Sequence, residues 1–167
     1  MNDIKFSIIT VCKNEEKYIE KTIQSVLNQT YKNFELIVVD GHSTDNTLNI
    51  LKKYKSQIKL IFDDGKGVYS AMNLGIKQAV GDFICFVNGN DFFYDDNVLA
   101  VINKEINLHK DAEFVLGDAQ VLYEDFKTRN ICYKDFKNVE IFFICLYNEI
   151  YENTNIAGTV PSCHRRL

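Results

Sequence analysis

The sequence predicts an α/β protein with a mostly parallel central sheet. Four short apolar segments have the composition of strands buried on both faces, and segments with helical periodicity separate them. No hairpin signal lies between consecutive apolar segments. Strands joined by single helices pair in parallel through right-handed crossovers. We therefore expect the chain up to Asp91 to form a doubly wound half of an α/β domain.

The first strand is predicted at Phe6–Cys12, an apolar segment interrupted only by two hydroxyl residues. Asn14 is expected to cap the helix that follows, because its side chain can accept a hydrogen bond from the first turn. Glu15 and Glu16 suit the positive end of that helix. Its buried face is predicted to contain Ile19, Ile23, Val26 and Leu27.

Two further strand and helix units follow in the same order. Residues 34–39 form a second buried strand that ends at Asp40, and a helix is expected over residues 46–55. The third strand is predicted at residues 58–62, and its helix at residues 69–79. This regular alternation indicates a parallel sheet.

The fourth strand, residues 83–87, ends in a polar segment that contains Asn88, Asn90 and Asp91. In an open α/β sheet, ligands bind at the carboxyl ends of the strands, so these side chains lie where a site is expected. Their oxygen atoms suit a hard cation such as Mg²⁺ or Mn²⁺, which would in turn hold a phosphate. An ordinary turn is the alternative, since Asn, Gly and Asp are common turn residues.

The second half of the chain has a less regular pattern. Asp95 and Asp96 precede a predicted helix, and residues 113–116 and 119–123 have the composition of short strands. The apolar segment 139–147 is predicted to be a core helix, because its nine residues cannot cross a bilayer, which needs about twenty. An interfacial membrane helix is the alternative.

Composition favours a small-molecule partner. The 167 residues suit one domain, with 46% hydrophobic and 25% charged residues. The net charge of -4 gives no electrostatic footprint for nucleic acid. Cys12 and Cys85 fall in or at the end of apolar strands, and the five cysteines contain no C-x-x-C pair, which is typical of buried thiols in a reducing cytoplasm.

Two common phosphate-binding motifs are absent. The turn after the first strand, Thr10–Asn14, contains no glycine, which argues against a nicotinamide dinucleotide site and against a nucleotidyltransferase. The segment Gly65–Gly67 lacks the spacing and the hydroxyl residue of a P-loop.

The order of several segments resembles the family 2 glycosyltransferases with the GT-A fold. The matching segments are Ser7–Glu16, Ser25–Tyr31, Val38–Thr47, Lys66–Ile76, Ala79–Phe83 and Asn88–Asp91. The last of these falls on the metal-binding D-x-D region of the family. The resemblance covers about residues 4–125, the donor-binding part, and residues 126–167 would begin the acceptor part of a single domain spanning 1–167.

The resemblance implies a Rossmann-like GT-A sandwich that transfers a sugar from a nucleotide diphosphate sugar, usually a UDP-sugar, with Mn²⁺ or Mg²⁺ as cofactor. The acceptor would be a saccharide or a lipid-linked saccharide in bacterial cell-surface polysaccharide synthesis, and the transfer would invert the anomeric centre. A cytoplasmic protein at the inner face of the membrane would fit this role, and peripheral membrane association stays open.

The resemblance also implies roles for particular residues. Thr10, Val11 and Cys12 would line the base and ribose, and Asp40 would accept a hydrogen bond from the base. Asp91 would bind the metal that bridges both phosphates.

Three positions depart from the family pattern. Asn90 stands where many members have an aspartate, and we expect weaker metal binding there but not its loss. Lys13 replaces a common tyrosine, and Gly65 replaces a frequent aspartate. Lys66 either approaches the diphosphate or is simply solvated.

In the family, the residue that acts as general base comes after a particular segment of the second half. Residues 161–167, the last of this chain, match that segment. The base is therefore expected beyond Leu167, which would make the fold incomplete at its C-terminus, as in a fragment or a broken reading frame. A non-catalytic protein that binds a nucleotide sugar is the alternative function.

Overall fold

The structure is a computed structural model that describes residues 3–63, 65–110, 114–116, 119–122, 128–131, 146–149 and 162–165. In chain order, its elements are β1 (Phe6–Cys12), α1 (Ile19–Leu27), β2 (Phe34–Asp40), α2 (Thr47–Lys52), β3 (Lys59–Phe62), α3 (Val68–Gln78), β4 (Phe83–Phe86), β5 (Asp91–Phe93), α4 (Val98–Leu108), β6 (Phe114–Leu116), β7 (Ala119–Leu122), β8 (Thr128–Ile131), β9 (Leu146–Glu149) and β10 (Ser162–Arg165).

The main sheet has six strands in the order β3-β2-β1-β4-β10-β6. The first four pair in parallel, and β1 lies at their centre with Phe6 opposite both Phe34 of β2 and Phe83 of β4. Strand β10 is antiparallel to both β4 and β6. The predicted α/β class with a mostly parallel central sheet is therefore confirmed.

Alternating side chains of the strands pack on opposite faces of this sheet. One face holds Phe6 and Ile8 against buried residues of α1, α2 and α4. The other face holds Ile9 and Val39 against Ala71 of α3. Strands β1, β2 and β4 are thus largely buried on both sides, which explains their mostly apolar sequences, whereas β3 at the edge of the sheet is partly exposed.

A second sheet of four strands has the order β5-β9-β7-β8. Strand β5 begins at Asp91, immediately after the polar turn that ends β4, and pairs antiparallel with β9. The sequence did not indicate this strand, because residues 91–93 are too few to show periodicity.

The predicted role of Asn14 as a helix cap is wrong. Helix α1 begins at Ile19 with Tyr18 at its N-cap, and Asn14 adopts a left-handed conformation with φ of 57°. Its side-chain oxygen accepts a hydrogen bond from the backbone N–H of Thr44 at 2.8 Å. Asn14 therefore holds the loop after β1 to the loop after β2, and both loops lie at the carboxyl ends of the strands.

The predicted core helix over residues 139–147 is contradicted at its end. Leu146 and Tyr147 belong to strand β9, where they pair with residues of β5 and β7. Residues 139–145 lie outside the part of the chain that the structure describes.

Candidate functional site

A cavity of about 540 Å³ lies at the carboxyl ends of β1 and β4. Three segments surround it: the end of β1 with the loop after it, the loop between β3 and α3, and the turn between β4 and β5. Its lining residues are Val11, Cys12, Lys13, Glu15, Gly41, Asp63, Gly65, Gly67, Val68, Tyr69, Met72, Asn88, Gly89, Asn90 and Asp91. This is the edge of the sheet where the sequence predicts a ligand.

Backbone hydrogen bonds fix the turn between β4 and β5 against the end of β1. The N–H of Gly89 donates to the carbonyl of Val11 at 3.0 Å, and the N–H of Asp91 donates to the carbonyl of Asn88 at 3.0 Å. The hydroxyl of Thr22 in α1 donates to the carbonyl of Gly89 at 3.0 Å. The turn is therefore held in place from both the sheet and the helix.

Gly89 allows this close approach. A Cβ atom at position 89 would lie 2.8 Å from Cβ of Cys12 and 2.8 Å from Cγ of Glu15. Such distances are shorter than van der Waals contact, so any side chain here would displace the turn or the end of β1.

We expect Gly89→Ala to lower the free energy of unfolding by about 1–3 kcal/mol, the usual cost of overpacking. Urea unfolding of the variant would measure this loss. Asn90→Ala is the control, because it changes an adjacent position of the same turn. An unfolding free energy for Gly89→Ala equal to that of the unmodified protein would show that the turn does not need the glycine.

Asp91 is the most deeply buried acid at the cavity, with 1% of its surface exposed. Its Oδ2 accepts a hydrogen bond from Nδ2 of Asn88 at 3.2 Å. Among the described residues, neither Asp91 Oδ1 nor Asn88 Oδ1 has a hydrogen-bond partner. Burial raises the pKa of the Asp91 carboxyl to about 7, and the hydrogen bond from Asn88 only partly offsets this rise.

The oxygen atoms of this turn fit a hard divalent cation. Two buried oxygens without partners lie on one turn, and a bound cation would satisfy both. Within the described residues, no group of three or more His, Cys, Asp and Glu side chains could enclose a metal. The donor set therefore suits an ion that keeps water and substrate phosphates as its other ligands, as Mg²⁺ does.

Glu15 is a second acid at the cavity, and sequence reasoning missed it. It lies in the turn before α1 and is partly buried, and its backbone N–H donates to the hydroxyl of Thr47 at 2.8 Å. Burial and then the neighbouring Asp45 carboxylate raise the pKa of Glu15. Nothing in the sequence distinguishes Glu15 from an ordinary residue in the first turn of a helix, because Asn-Glu-Glu is typical of helix starts.

The loop between β3 and α3 forms the opposite wall of the cavity. Gly65 and Gly67 have φ angles of 74° and 98°, a region that favours glycine. The N–H of Gly65 donates to Oδ1 of Asp63 at 2.9 Å, and the carbonyl of Asp63 lies 2.9 Å from Nε2 of His42. Residues of the loop after β2 thus position this wall.

Asp40 is fully buried in a network behind the cavity wall. Its two side-chain oxygens accept hydrogen bonds from the N–H of Ser43 at 2.8 Å and from the hydroxyl of Ser43 at 2.6 Å. The Cys12 thiol lies 3.6 Å from Oδ2 of Asp40. Burial, and then the Asp40 carboxylate, hold the pKa of Cys12 far above its usual value, so Cys12 remains a neutral thiol.

The structure brings four of the seven predicted site residues to the cavity wall: Val11, Cys12, Asn90 and Asp91. The side chain of Thr10 is fully buried beneath the wall, and Asp40 lies next to the lining residue Gly41. Lys66 is exposed and lies outside the lining set, although both of its neighbours line the cavity.

The family model described as Glycosyl transferase family 2 matches residues 7–165, and the chain belongs to that family. A PGL/p-HBAD biosynthesis glycosyltransferase of Mycobacterium bovis is 32% identical over 145 residues, which cover 77% of this chain and 57% of the relative. An uncharacterized glycosyltransferase of Haemophilus influenzae is 38% identical over 114 residues, covering 65% and 45% of the two chains. The chain therefore spans about half the length of these relatives.

Solved structures confirm the GT-A fold. TarS from S. aureus matches with a TM-score of 0.67 and 30% identity, over 81% of this chain and 40% of that chain. Other TarS crystals contain UDP or UDP-GlcNAc. The mannosyltransferase PcManGT from Pyrobaculum calidifontis, in complex with GDP-Man and Mn²⁺, matches with a TM-score of 0.59 and 20% identity, over 72% of this chain and 36% of that chain. Within the described segments, no helix has the length and apolar character needed to cross a membrane.

Proposed function

We propose that this chain binds a UDP-sugar in the cavity and transfers the sugar to a hydroxyl of a saccharide or lipid-linked acceptor in cell-surface polysaccharide synthesis. The observation that carries the proposal is the buried, unpaired carboxylate oxygen of Asp91 beside the end of β1. This oxygen can hold the cation through which a diphosphate binds, and the adjoining end of β1 lies where nucleosides bind in α/β sheets. The similarity to TarS, which binds UDP-GlcNAc, supports uridine as the base.

Asp91 and Asn88 would hold the divalent cation, with Asn90 beside them. Mn²⁺ or Mg²⁺ bound there supplies a Lewis acid that stabilises the negative charge of the leaving diphosphate. Asp91 offers its free Oδ1, and its bond to Asn88 fixes the orientation of the carboxyl group. The amide of Asn90 offers an acceptor without adding negative charge.

The end of β1 would bind the nucleoside. Val11 and Cys12 give the cavity an apolar wall on which a base can lie, while Thr10 supports that wall from beneath. Asp40 would accept the ring N–H of uracil through Oδ1, which has a lone pair beyond the one used by the N–H of Ser43, whereas Oδ2 already accepts from Ser43 and Cys12. Lys66 would approach the diphosphate from the loop before α3.

We also propose that the protein acts in the cytoplasm, at the inner face of the membrane. Cys12 and Cys85 are buried free thiols, which is typical of proteins in a reducing compartment. A lipid-linked acceptor would bring the protein to that surface.

Calorimetric titration with a UDP-sugar tests the donor site, and transfer of labelled sugar to a saccharide acceptor tests the reaction. We expect binding in the presence of Mn²⁺ that weakens by at least about tenfold, or 1.4 kcal/mol, when the metal is chelated. Binding without transfer would show a nucleotide-sugar-binding protein and not an enzyme. Equal affinity for UDP and for an unrelated nucleotide would contradict the proposed donor.

A further inference from the structure

The turn that carries Asp91 has only one carboxylate. Asn90 has an amide where the D-x-D pattern of the family has an aspartate, and Asn88 also contributes an amide. A divalent cation bound by this turn alone would meet one negative charge from the protein. Since affinity for hard cations depends on the number of charged ligands, a second carboxylate near the turn would strengthen the site.

Glu15 lies directly against this turn. It lines the same cavity as Asp91, and its Cγ is 2.8 Å from the place where a Cβ atom of residue 89 would be. Backbone hydrogen bonds position Glu15 from both sides, since its N–H donates to Thr47 and its carbonyl accepts from the N–H of Ile19 at 2.9 Å. Its location is therefore set by the fold and not by a flexible surface loop.

Two acids line the cavity beside this turn, and one of them has an oxygen without a partner in the described part of the chain. When both are ionised, Glu15 and Asp91 carry like charges in the same cavity, and these charges repel each other. Independently of this pair, Asp91 Oδ1 is buried without a hydrogen-bond partner among the described residues. A cation between the acids would remove their repulsion and satisfy this oxygen.

We propose that Glu15 supplies the second negative charge of the cation site at Asp91, and so replaces the carboxylate that is absent at Asn90. This inference rests on the proposed function, because it requires that the turn bind a divalent cation. Stabilising the first turn of α1 does not explain Glu15, since this helix begins four residues later at Ile19. The inference gives Glu15 a role in binding instead.

The test is a titration of the protein with Mn²⁺ in saturating UDP, with free Mn²⁺ followed by electron paramagnetic resonance. We expect Glu15→Gln to weaken Mn²⁺ binding by about 10- to 100-fold, the range for losing a group that tunes a metal site. The matched control is Glu16→Gln. Glu16 is exposed, and its Oε2 accepts from the N–H of Asn46, a bond that the amide oxygen of Gln preserves.

A relocated carboxylate separates a charge effect from a structural one. Asn90→Asp should restore most of the Mn²⁺ affinity lost in Glu15→Gln, whereas damage to the fold would not be rescued in this way. Thermal melting of all variants without metal checks that they fold equally.

Two results would overturn the inference: unchanged Mn²⁺ binding by Glu15→Gln, or an equal loss of UDP binding with and without Mn²⁺, which would place Glu15 on the nucleoside. Loss of Mn²⁺ binding in Asp91→Asn with retention in Glu15→Gln would refute only the role of Glu15. If the unmodified protein binds no Mn²⁺ with UDP, the proposed function itself fails, and this inference fails with it.

Discussion

Asp91→Asn is expected to abolish Mn²⁺-dependent binding of a UDP-sugar. The substitution keeps the shape of the side chain but removes its negative charge, which leaves the charge of the diphosphate uncompensated in a buried site. We expect the affinity in Mn²⁺ to fall to the level that the unmodified protein shows when the metal is chelated. Calorimetry with Mn²⁺ and with a chelator measures both values.

Asp95→Asn is the matched control for this substitution. Asp95 follows β5, and its Oδ1 accepts a hydrogen bond from the N–H of Asn97 at 2.7 Å, a bond that an amide oxygen can also accept. It does not line the cavity. Equal Mn²⁺-dependent binding by Asp91→Asn and the unmodified protein would eliminate Asp91 as the metal ligand.

The same substitution should stabilise the metal-free protein at neutral pH. Burial raises the pKa of Asp91 to about 7, above its ordinary value, so the folded state holds a proton that the unfolded state releases. Its contribution to the free energy of unfolding is therefore largest in acid and falls as the pH rises from about 4 to 7. Asp91→Asn has no charge to bury. With the metal chelated, the free energy of unfolding of this variant should therefore fall less over this pH interval than that of the unmodified protein.

Much of the fold could be predicted from the sequence, because parallel strands buried on both faces have continuous apolar sequences. Each of the four segments expected as strands in the first half contains a strand of the main sheet. Helix α2 is shorter than predicted and ends at Lys52, since the turns that follow it carry the same apolar spacing. Strand β5 was not predicted, because its pairing with β9 depends on contacts distant in sequence.

The candidate site was predictable where it follows a strand directly. Asp91 and Asn90 come after β4, and the rule that ligands bind at strand ends predicts their position at the cavity wall. Glu15 was missed because its position depends on Asn14, which bridges two loops instead of capping α1. The burial of Asp40 beneath Ser43 could not be predicted either, because Asp-Gly-His-Ser has the composition of an ordinary loop. The burial depends on hydrogen bonds that hold this loop against the end of β1.

Asp40→Ala is expected to damage both stability and base recognition. Removing the buried carboxylate leaves the N–H and hydroxyl of Ser43 without their acceptor, which costs about 1–3 kcal/mol of unfolding free energy. If Asp40 also accepts the N–H of uracil, UDP binding should weaken by about 1–3 kcal/mol. Urea unfolding measures the first loss, and calorimetry in Mn²⁺ measures the second.

Inorganic diphosphate and Ser43→Ala separate these two effects. Diphosphate has no base, so its binding in Mn²⁺ should change little in Asp40→Ala while UDP binding falls. Ser43→Ala removes one donor to Asp40 but retains the carboxylate, so it should lose stability and still favour UDP over diphosphate. Equal losses of UDP and diphosphate binding in Asp40→Ala would instead mean that Asp40 only holds the loop after β2 against the end of β1, and that another group recognises the base.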